Sequence, residues 1–392
     1  MGEHPAGGEK IDFDIPEELL LLKHTVRDFV EGRLQPIEQQ VEDDDKIPDA
    51  ILKEMGALGF FGLPFPEEYG GAGAGDLGYC VALEEFGRTS AAFSNLIGAH
   101  TSIGSMSIYL GGTEAQKKQY LPDLTAGTKI AAFSLTEPSS GSDAASIQTS
   151  ATKVGDRWIL NGTKIWVTNG PIADVIVVYA SNDRSLGPRG GITAFIVEKG
   201  FTGFRVGTVD DKMGLRGSHT GELVFEDCEV PEENVLGGTV GTGFKTALGA
   251  LDIGRISLAA GAVGSSQYLL ELAIAHSKRR VQFGKPIAAN QAIQWMLADS
   301  AVEIHASRLM VYDAAAKMDR GTRASIEAAM VKVYASEMAG RVVDRVLQIF
   351  GGTGYMKGSP VERGYRDARI LRIYEGTSEV QRIIIAEELL KA

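Results

Sequence analysis

Hydrophobic positions change period twice along this chain. From about Pro16 to Thr128 they recur at helical spacing, as at Leu22, Val26, Phe29 and Val30, and again at Ile51, Leu52, Met55 and Leu58. Clusters such as Gly62-Leu63-Pro64 and Tyr69-Gly70-Gly71 punctuate these helices. From about Ile130 to Leu236 the pattern becomes that of β-strands. Ile130 to Leu135, Asp174 to Tyr179, Ile192 to Val197 and Glu222 to Phe225 each read as a strand, the last closed by a turn around Pro231. Trp158-Ile159-Leu160, then Asn161-Gly162, then Lys164 to Thr168 predicts a hairpin with a type I′ turn. Beyond Gly243 long helical patterns return over Ile256 to His276, Gln291 to Met318 and Ser325 to Phe350, long enough for an antiparallel bundle.

The expected architecture is therefore α+β in three domains: helices over 1–128, a β domain over 129–240, and a helical bundle over 241–392. A chain of 392 residues suits two or three domains sharing one body. Hydrophobic residues at 44% and charged residues at 23% describe a globular chain, not a disordered one. The net charge of −12 argues against broad nucleic-acid or anionic-membrane binding, so a phosphate-bearing ligand needs local basic clusters. Cys80 and Cys228 lack metal or redox spacing, which suits reduced thiols in a cytoplasm-like compartment. Leu19 to Leu22 is too short for a secretory core, and no apolar run approaches the roughly 20 residues that span a bilayer.

Five segments carry candidate chemistry. Tyr374-Glu375-Gly376-Thr377-Ser378-Glu379 sets a carboxylate on a tight loop before a helix. Ser378 and Gln381 have capping-box spacing, which starts that helix at about Glu379. Glu375 is then either a surface glutamate or a shielded base of raised pKa. Thr136 to Asp143 is either a Ser-rich turn or a cradle for an anion or a polar ring edge. Strict alternation puts Trp166 and Thr168 on one strand face, with Ile165 and Val167 on the other. An indole beside a hydroxyl suits a flat cofactor, and Trp166 as core is the alternative. Lys278 to Pro286 concentrates cations around Gln282 and Phe283, for phosphate or as a solvated helix end. Asp252 and Arg255, at i and i+3, share a helix face as an ion pair or a ligand wall, and Gly254 between them brings no carboxylate.

In order and spacing these segments resemble the acyl-CoA dehydrogenase family over nearly the whole chain, Pro16 to Leu390. The motifs are Leu135-Thr136-Glu137-Pro138-x-x-Gly141-Ser142-Asp143, Asn161-Gly162-x-Lys164-x-Trp166-Val167-Thr168-Asn169, Lys212-Met213-Gly214-Leu215-Arg216-Gly217-Ser218, the Arg280 to Lys285 run, Gln348-Ile349-Phe350-Gly351-Gly352-x-Gly354-Tyr355, Arg366-Asp367-Ala368-Arg369, and Tyr374-Glu375-Gly376-Thr377. Ser134, Gly358 and Gly364 depart from the pattern, away from catalytic positions.

The resemblance implies a helical domain, a β-barrel-like middle domain and a C-terminal four-helix bundle, with one FAD per subunit at a subunit interface. Phe133, Leu135, Thr136, Gly141 and Ser142 would meet the cofactor, Ser142 reaching its pyrophosphate or the thioester. Trp166, Val167 and Thr168 would flank the flavin. Arg280, Gln282, Phe283, Gln291, Gln348, Ile349, Phe350, Gly351 and Gly352 would hold the neighbouring subunit's FAD, and Thr377, Ser378 and Glu379 would touch FAD beside the base. Phe244, Asp252, Arg255, Tyr374 and Gly376 would face an acyl-CoA. Glu375 matches the family's base, and the empty Gly254 position matches the short- and medium-chain arrangement. A homotetramer passing electrons to electron-transferring flavoprotein follows by analogy. An oxygen-using oxidase relative and a silent acyl-CoA-binding paralogue are the competing readings. Gly98 to Met106 matches the helix bordering the acyl pocket, with His100 a satisfied structural histidine.

Overall fold

The computed structural model describes residues 15–322 and 324–391; the first fourteen residues of the expected helical domain lie outside it. Helices fill the chain from Glu17–Phe29 to Glu114–Thr125. Seven strands follow: β1 (Ala131–Ser134), β2 (Ser150–Val154), β3 (Arg157–Thr168), β4 (Val175–Ser181), β5 (Ile192–Glu198), β6 (Phe204–Val209) and β7 (Thr220–Pro231). They form one sheet in the order β1-β4-β2-β3-β7-β6, with β5 also on β4. β1 runs parallel to β4, and β2–β3, β3–β7, β4–β5 and β6–β7 are antiparallel. Long helices Gly243–Arg279, Gln291–Asp319 and Ser325–Phe350, with the shorter Ser378–Leu390, make up the C-terminal part.

One apolar core joins the first and last helical regions: Phe60, Phe86 and Phe93 share it with Ile256, Val263, Met338 and Val342. The sheet carries apolar clusters of its own, one around Trp158, Phe195 and Phe225, another around Tyr179 and Ile196. The Gly243–Arg279 helix is longer than its periodicity suggested and, contrary to the expectation of no such run, is apolar enough by length and composition to cross a bilayer. Yet 67% of its most apolar window is buried inside the protein. Ala250, Ala259, Ala260 and Gly264 mark it as a close-packed core helix.

Two strand expectations need correction. Asn161-Gly162 is no turn, because β3 runs straight through it; the two-residue connection is Gly155-Asp156, between Val154 and Arg157. Asn161 instead pins a bulge in β7. Its Nδ2 donates to Asp227 Oδ1 (3.0 Å), and the Asp227 N–H donates back to its Oδ1 (2.8 Å), with Asp227 at φ 49°. A Cβ at Gly162 would lie 2.5 Å from Thr149 Oγ1, so glycine serves close approach there. The second correction concerns Trp166. The β3–β7 register slips between Lys164 and Val167, and Trp166 is the left-handed extra residue (φ 56°). The bulge cancels strict alternation.

His100 is structural, as expected: Nε2–H donates to the Leu124 carbonyl (2.9 Å), while Nδ1 accepts from the Ala131 N–H (2.9 Å). Burial pushes its pKa down to about 4. Its segment, Gly98–Ser105, is a π-helix. Cys80 and Cys228 are buried free thiols. Of the departures from the motif pattern, Gly364 packs against Leu269 and Gly358 takes a left-handed φ of 87°.

Candidate active site

A cavity of about 400 Å³ opens where the sheet meets the bundle. Its walls come from β1 and the loop after it, the end of β3, the Gly243–Arg279 helix, the Gly98–Ser105 segment and the Tyr374–Gly376 loop.

The loop after β1 is braced from below by a buried ion pair. Lys164 Nζ donates to Glu137 Oε1 (2.8 Å) and to the Leu135 carbonyl (2.9 Å). The Thr149 N–H donates to Glu137 Oε1 (2.9 Å) and the Gln148 N–H to Oε2 (2.5 Å). Burial alone would raise the Glu137 pKa, but the Lys164 ammonium and these donors hold it below the usual range; burial lowers Lys164 to about 8. With the Ile165 N–H on the Thr136 carbonyl (3.0 Å), this brace ties the polar loop to β3. It presents Phe133, Leu135, Thr136, Gly141 and Ser142 to the cavity.

Facing them is the end of β3. Its bulge turns the Trp166 indole outward, 65% exposed, and Ile165, Trp166, Val167 and Thr168 all line the cavity. An exposed indole among hydroxyls and aliphatic walls fits a flat aromatic ring such as a flavin.

Glu375 lies across the cavity at φ 54°, followed by Gly376 at φ 90°. Four donations secure the two carbonyls. Arg255 Nε (3.1 Å) and Gln381 Nε2 (3.0 Å) reach that of Glu375; Lys332 Nζ (2.5 Å) and Gln381 Nε2 (3.1 Å) reach that of Gly376. The carboxyl is left bare. Its Oε2 is shut from solvent and meets no hydrogen-bond partner. Burial raises the Glu375 pKa to about 7, against the pull of Arg255 and Lys332. The space above the Gly243–Arg279 helix is already taken, because a Cβ at Gly254 would lie 2.4 Å from Glu375 Oε2.

Phe244, Arg255, Tyr374 and Gly376 join Glu375 at the cavity, and Asp252 does not. Asp252 instead accepts from Arg255 (2.9 Å) and Ser325 (2.5 Å), so it orients Arg255 from behind. The capping-box expectation fails. Thr377 is the N-cap of Ser378–Leu390, accepting from the Val380 N–H (3.2 Å), because Gln381 is drawn away to the loop carbonyls.

Thr377, Ser378 and Glu379 stand off the cavity, Ser378 buried and Glu379 exposed. Also apart from it are Arg280, Gln282, Phe283, Gln291, Gln348, Phe350, Gly351 and Gly352. Phe283, at the tip of a small hairpin, is 99% exposed, Phe350 stacks on His276 (4.2 Å), and Ile349 is a core side chain.

Lys332 and Gln381 were not singled out as site residues. The signal for Lys332 was a lone cation within the apolar stripe Ala328, Val331, Ala335, Met338. Gln381 had no signal beyond its capping spacing.

A carboxyl of raised proton affinity on the wall of a cavity that also offers an exposed indole has the chemistry to take a weakly acidic proton. The family comparison is specific. Models of the acyl-CoA dehydrogenase N-terminal, middle and C-terminal domains match residues 16–128, 132–228 and 241–390. The chain belongs to the acyl-CoA dehydrogenase family of FAD-dependent oxidoreductases. It is 46% identical to an acyl-CoA dehydrogenase of Bacillus subtilis, over 96% of this chain and 99% of that one. Butyryl-CoA dehydrogenase from Megasphaera elsdenii superposes with a TM-score of 0.94 at 43% identity, covering 97% of this chain and 100% of that one. A chain solved in work on the electron transferring flavoprotein of Acidaminococcus fermentans and flavin-based electron bifurcation superposes at 0.95, with 45% identity and coverage of 97% and 100%.

Proposed function

We propose that this chain converts the CoA thioester of an uncharged, short straight-chain acyl group to its 2-enoyl-CoA, with Glu375 removing the α-proton. The observation that carries this reading is Glu375 on the cavity wall, with its Oε2 shut from solvent and without a hydrogen-bond partner. A carboxylate in water is far too weak a base for a thioester α-carbon; a carboxyl whose pKa stands at about 7 is better matched. FAD, when bound, accepts the hydride that leaves the β-carbon. Phe133, Leu135, Thr136, Trp166 and Thr168 would hold its ring, and Ser142 a polar group of cofactor or thioester. Phe244, Arg255 and Tyr374 shape the substrate side. Small residues at Gly87, Ala91, Ser94, Gly98 and Gly261 line one wall without a charge, which favours a neutral acyl tail.

The outlying set of Arg280, Gln282, Phe283, Gln291 and Gln348 to Gly352 serves a second copy's cofactor in this reading, as in a homotetramer. Its exposed cations and its 99% exposed Phe283 support that assignment. Electron-transferring flavoprotein is the proposed acceptor, supported by the Acidaminococcus structure.

The test is anaerobic bleaching of the flavin absorbance across straight-chain acyl-CoAs. Glu375→Gln keeps FAD and binds substrate, but bleaches slower by about 10³-fold or more. The wild-type rate should fall about tenfold per pH unit below about 7, since the base works only when ionised and its carboxyl protonates as pH drops through that value. Bleaching by Glu375→Gln at the wild-type rate would refute the assignment.

A further inference from the structure

Lys332 has no part in proton abstraction as derived so far, yet it is an expensive group to bury. It lies fully buried on the Ser325–Phe350 helix, and its Nζ is 2.5 Å from the Gly376 carbonyl oxygen. Among the described residues no carboxylate forms an ion pair with it within 4.0 Å. Removing an ammonium from water costs several kcal/mol unless charge or strong hydrogen bonds offset it. A neutral donor could staple one carbonyl at much lower cost, and Gln381 already donates to the same oxygen. The charge therefore needs a use of its own.

The groups around it supply one. Negative groups that act on Lys332 are Glu375 first, then Glu379 and Glu337, while Arg255 opposes them. Around Glu375 stand the cations Arg255 and Lys332, with Tyr374 beside it, Tyr79 on the Gly75–Phe86 helix, and Asp367 beyond Tyr374. Arg255 is held by Asp252 (2.9 Å), so its charge is largely spoken for. Lys332 has no such ion pair among the described residues, and Glu375 is the carboxylate that acts on it most strongly.

We propose that Lys332 is a positioning residue for the reaction: its ammonium holds the Gly376 carbonyl, keeps the left-handed Glu375 aimed into the cavity, and favours the ionised form of that carboxyl. This rests on Glu375 being the base. The geometry links the two effects. Gly376 is the next residue after Glu375, so a donor fixed on its carbonyl limits rotation of the peptide that carries the base.

Two substitutions separate charge from anchorage. Lys332→Gln retains a donor and loses the charge; Lys332→Met loses both. With FAD-loaded enzyme and butyryl-CoA, anaerobic bleaching is followed against pH, alongside FAD content and Glu375→Gln as control. Lys332→Gln should move the acid limb upward by about one pH unit, slowing bleaching about tenfold near pH 6 and little above pH 9. Lys332→Met should show the same displacement plus a pH-independent loss of roughly 10²-fold, from a base misplaced by about 1 Å. An unmoved limb in Lys332→Gln overturns the inference, even if Lys332→Met fails to fold. With Glu375→Gln inactive, that result leaves the base assignment standing; rapid bleaching by Glu375→Gln brings down both.

Discussion

Gly254→Ala should slow this enzyme without weakening it. The new methyl would sit 2.4 Å from Glu375 Oε2, the end of a flexible side chain that can turn aside, and 2.8 Å from Ile103 Cγ2, which must give by a smaller amount. Non-bonded contacts settle near 3.5 Å, so the carboxyl must retreat by about 1 Å. A displacement of that size at a reacting group costs roughly 10²-fold in rate. The stability term has the opposite sign. Alanine in a helix interior gains about 1 kcal/mol over glycine, which offsets the rearrangement. The expected phenotype is an enzyme with wild-type FAD content, a melting temperature unchanged or slightly raised, and bleaching by butyryl-CoA about 100-fold slower. Stopped-flow absorbance under anaerobic conditions reads the rate, and flavin release during a thermal ramp reads the fold. Wild-type bleaching would show that the carboxyl does not act from its place above Gly254. Loss of rate together with FAD and melting temperature would show that the damage is to packing.

Two further outcomes test the supports of the cofactor slot. Lys164→Met leaves Glu137 as a buried carboxylate with only backbone donors, which should cost about 3–5 kcal/mol and lower FAD retention; a melt within a degree or so of wild type would refute the brace. Arg280→Ala should weaken FAD retention and loosen the oligomer together, by gel filtration and flavin-to-protein ratio, whereas a fully loaded and fully assembled variant would refute the inter-subunit contact.

Much of this is legible in the sequence because it depends on local pattern. The Ser325–Phe350 helix follows from an unbroken 3.6 period, and β4 and β5 from continuous apolar runs. Where the reading failed, a distant partner overrode a local preference. Asn161-Gly162 favours a turn in isolation, but Asp227 on β7 accepts the asparagine and Thr149 crowds the glycine. Ser378 and Gln381 have the spacing of a cap, yet Gln381 donates through Nε2 to the carbonyls of Glu375 and Gly376, which turns its amide away from the helix terminus.

The linear order of residues determined the three-part layout, the family, and the presence of one carboxylate at 375 with none at 254. Those depend on side-chain identity and periodicity, which a string records. Only the folded chain decided that one oxygen of this carboxyl meets neither solvent nor donor, that a bulge brings Trp166 to the same cavity, and that Lys332, 43 positions upstream in the numbering, grips the next carbonyl. Proton affinity and aim come from distances between segments remote in the chain, since burial and Coulomb terms depend on separation in space.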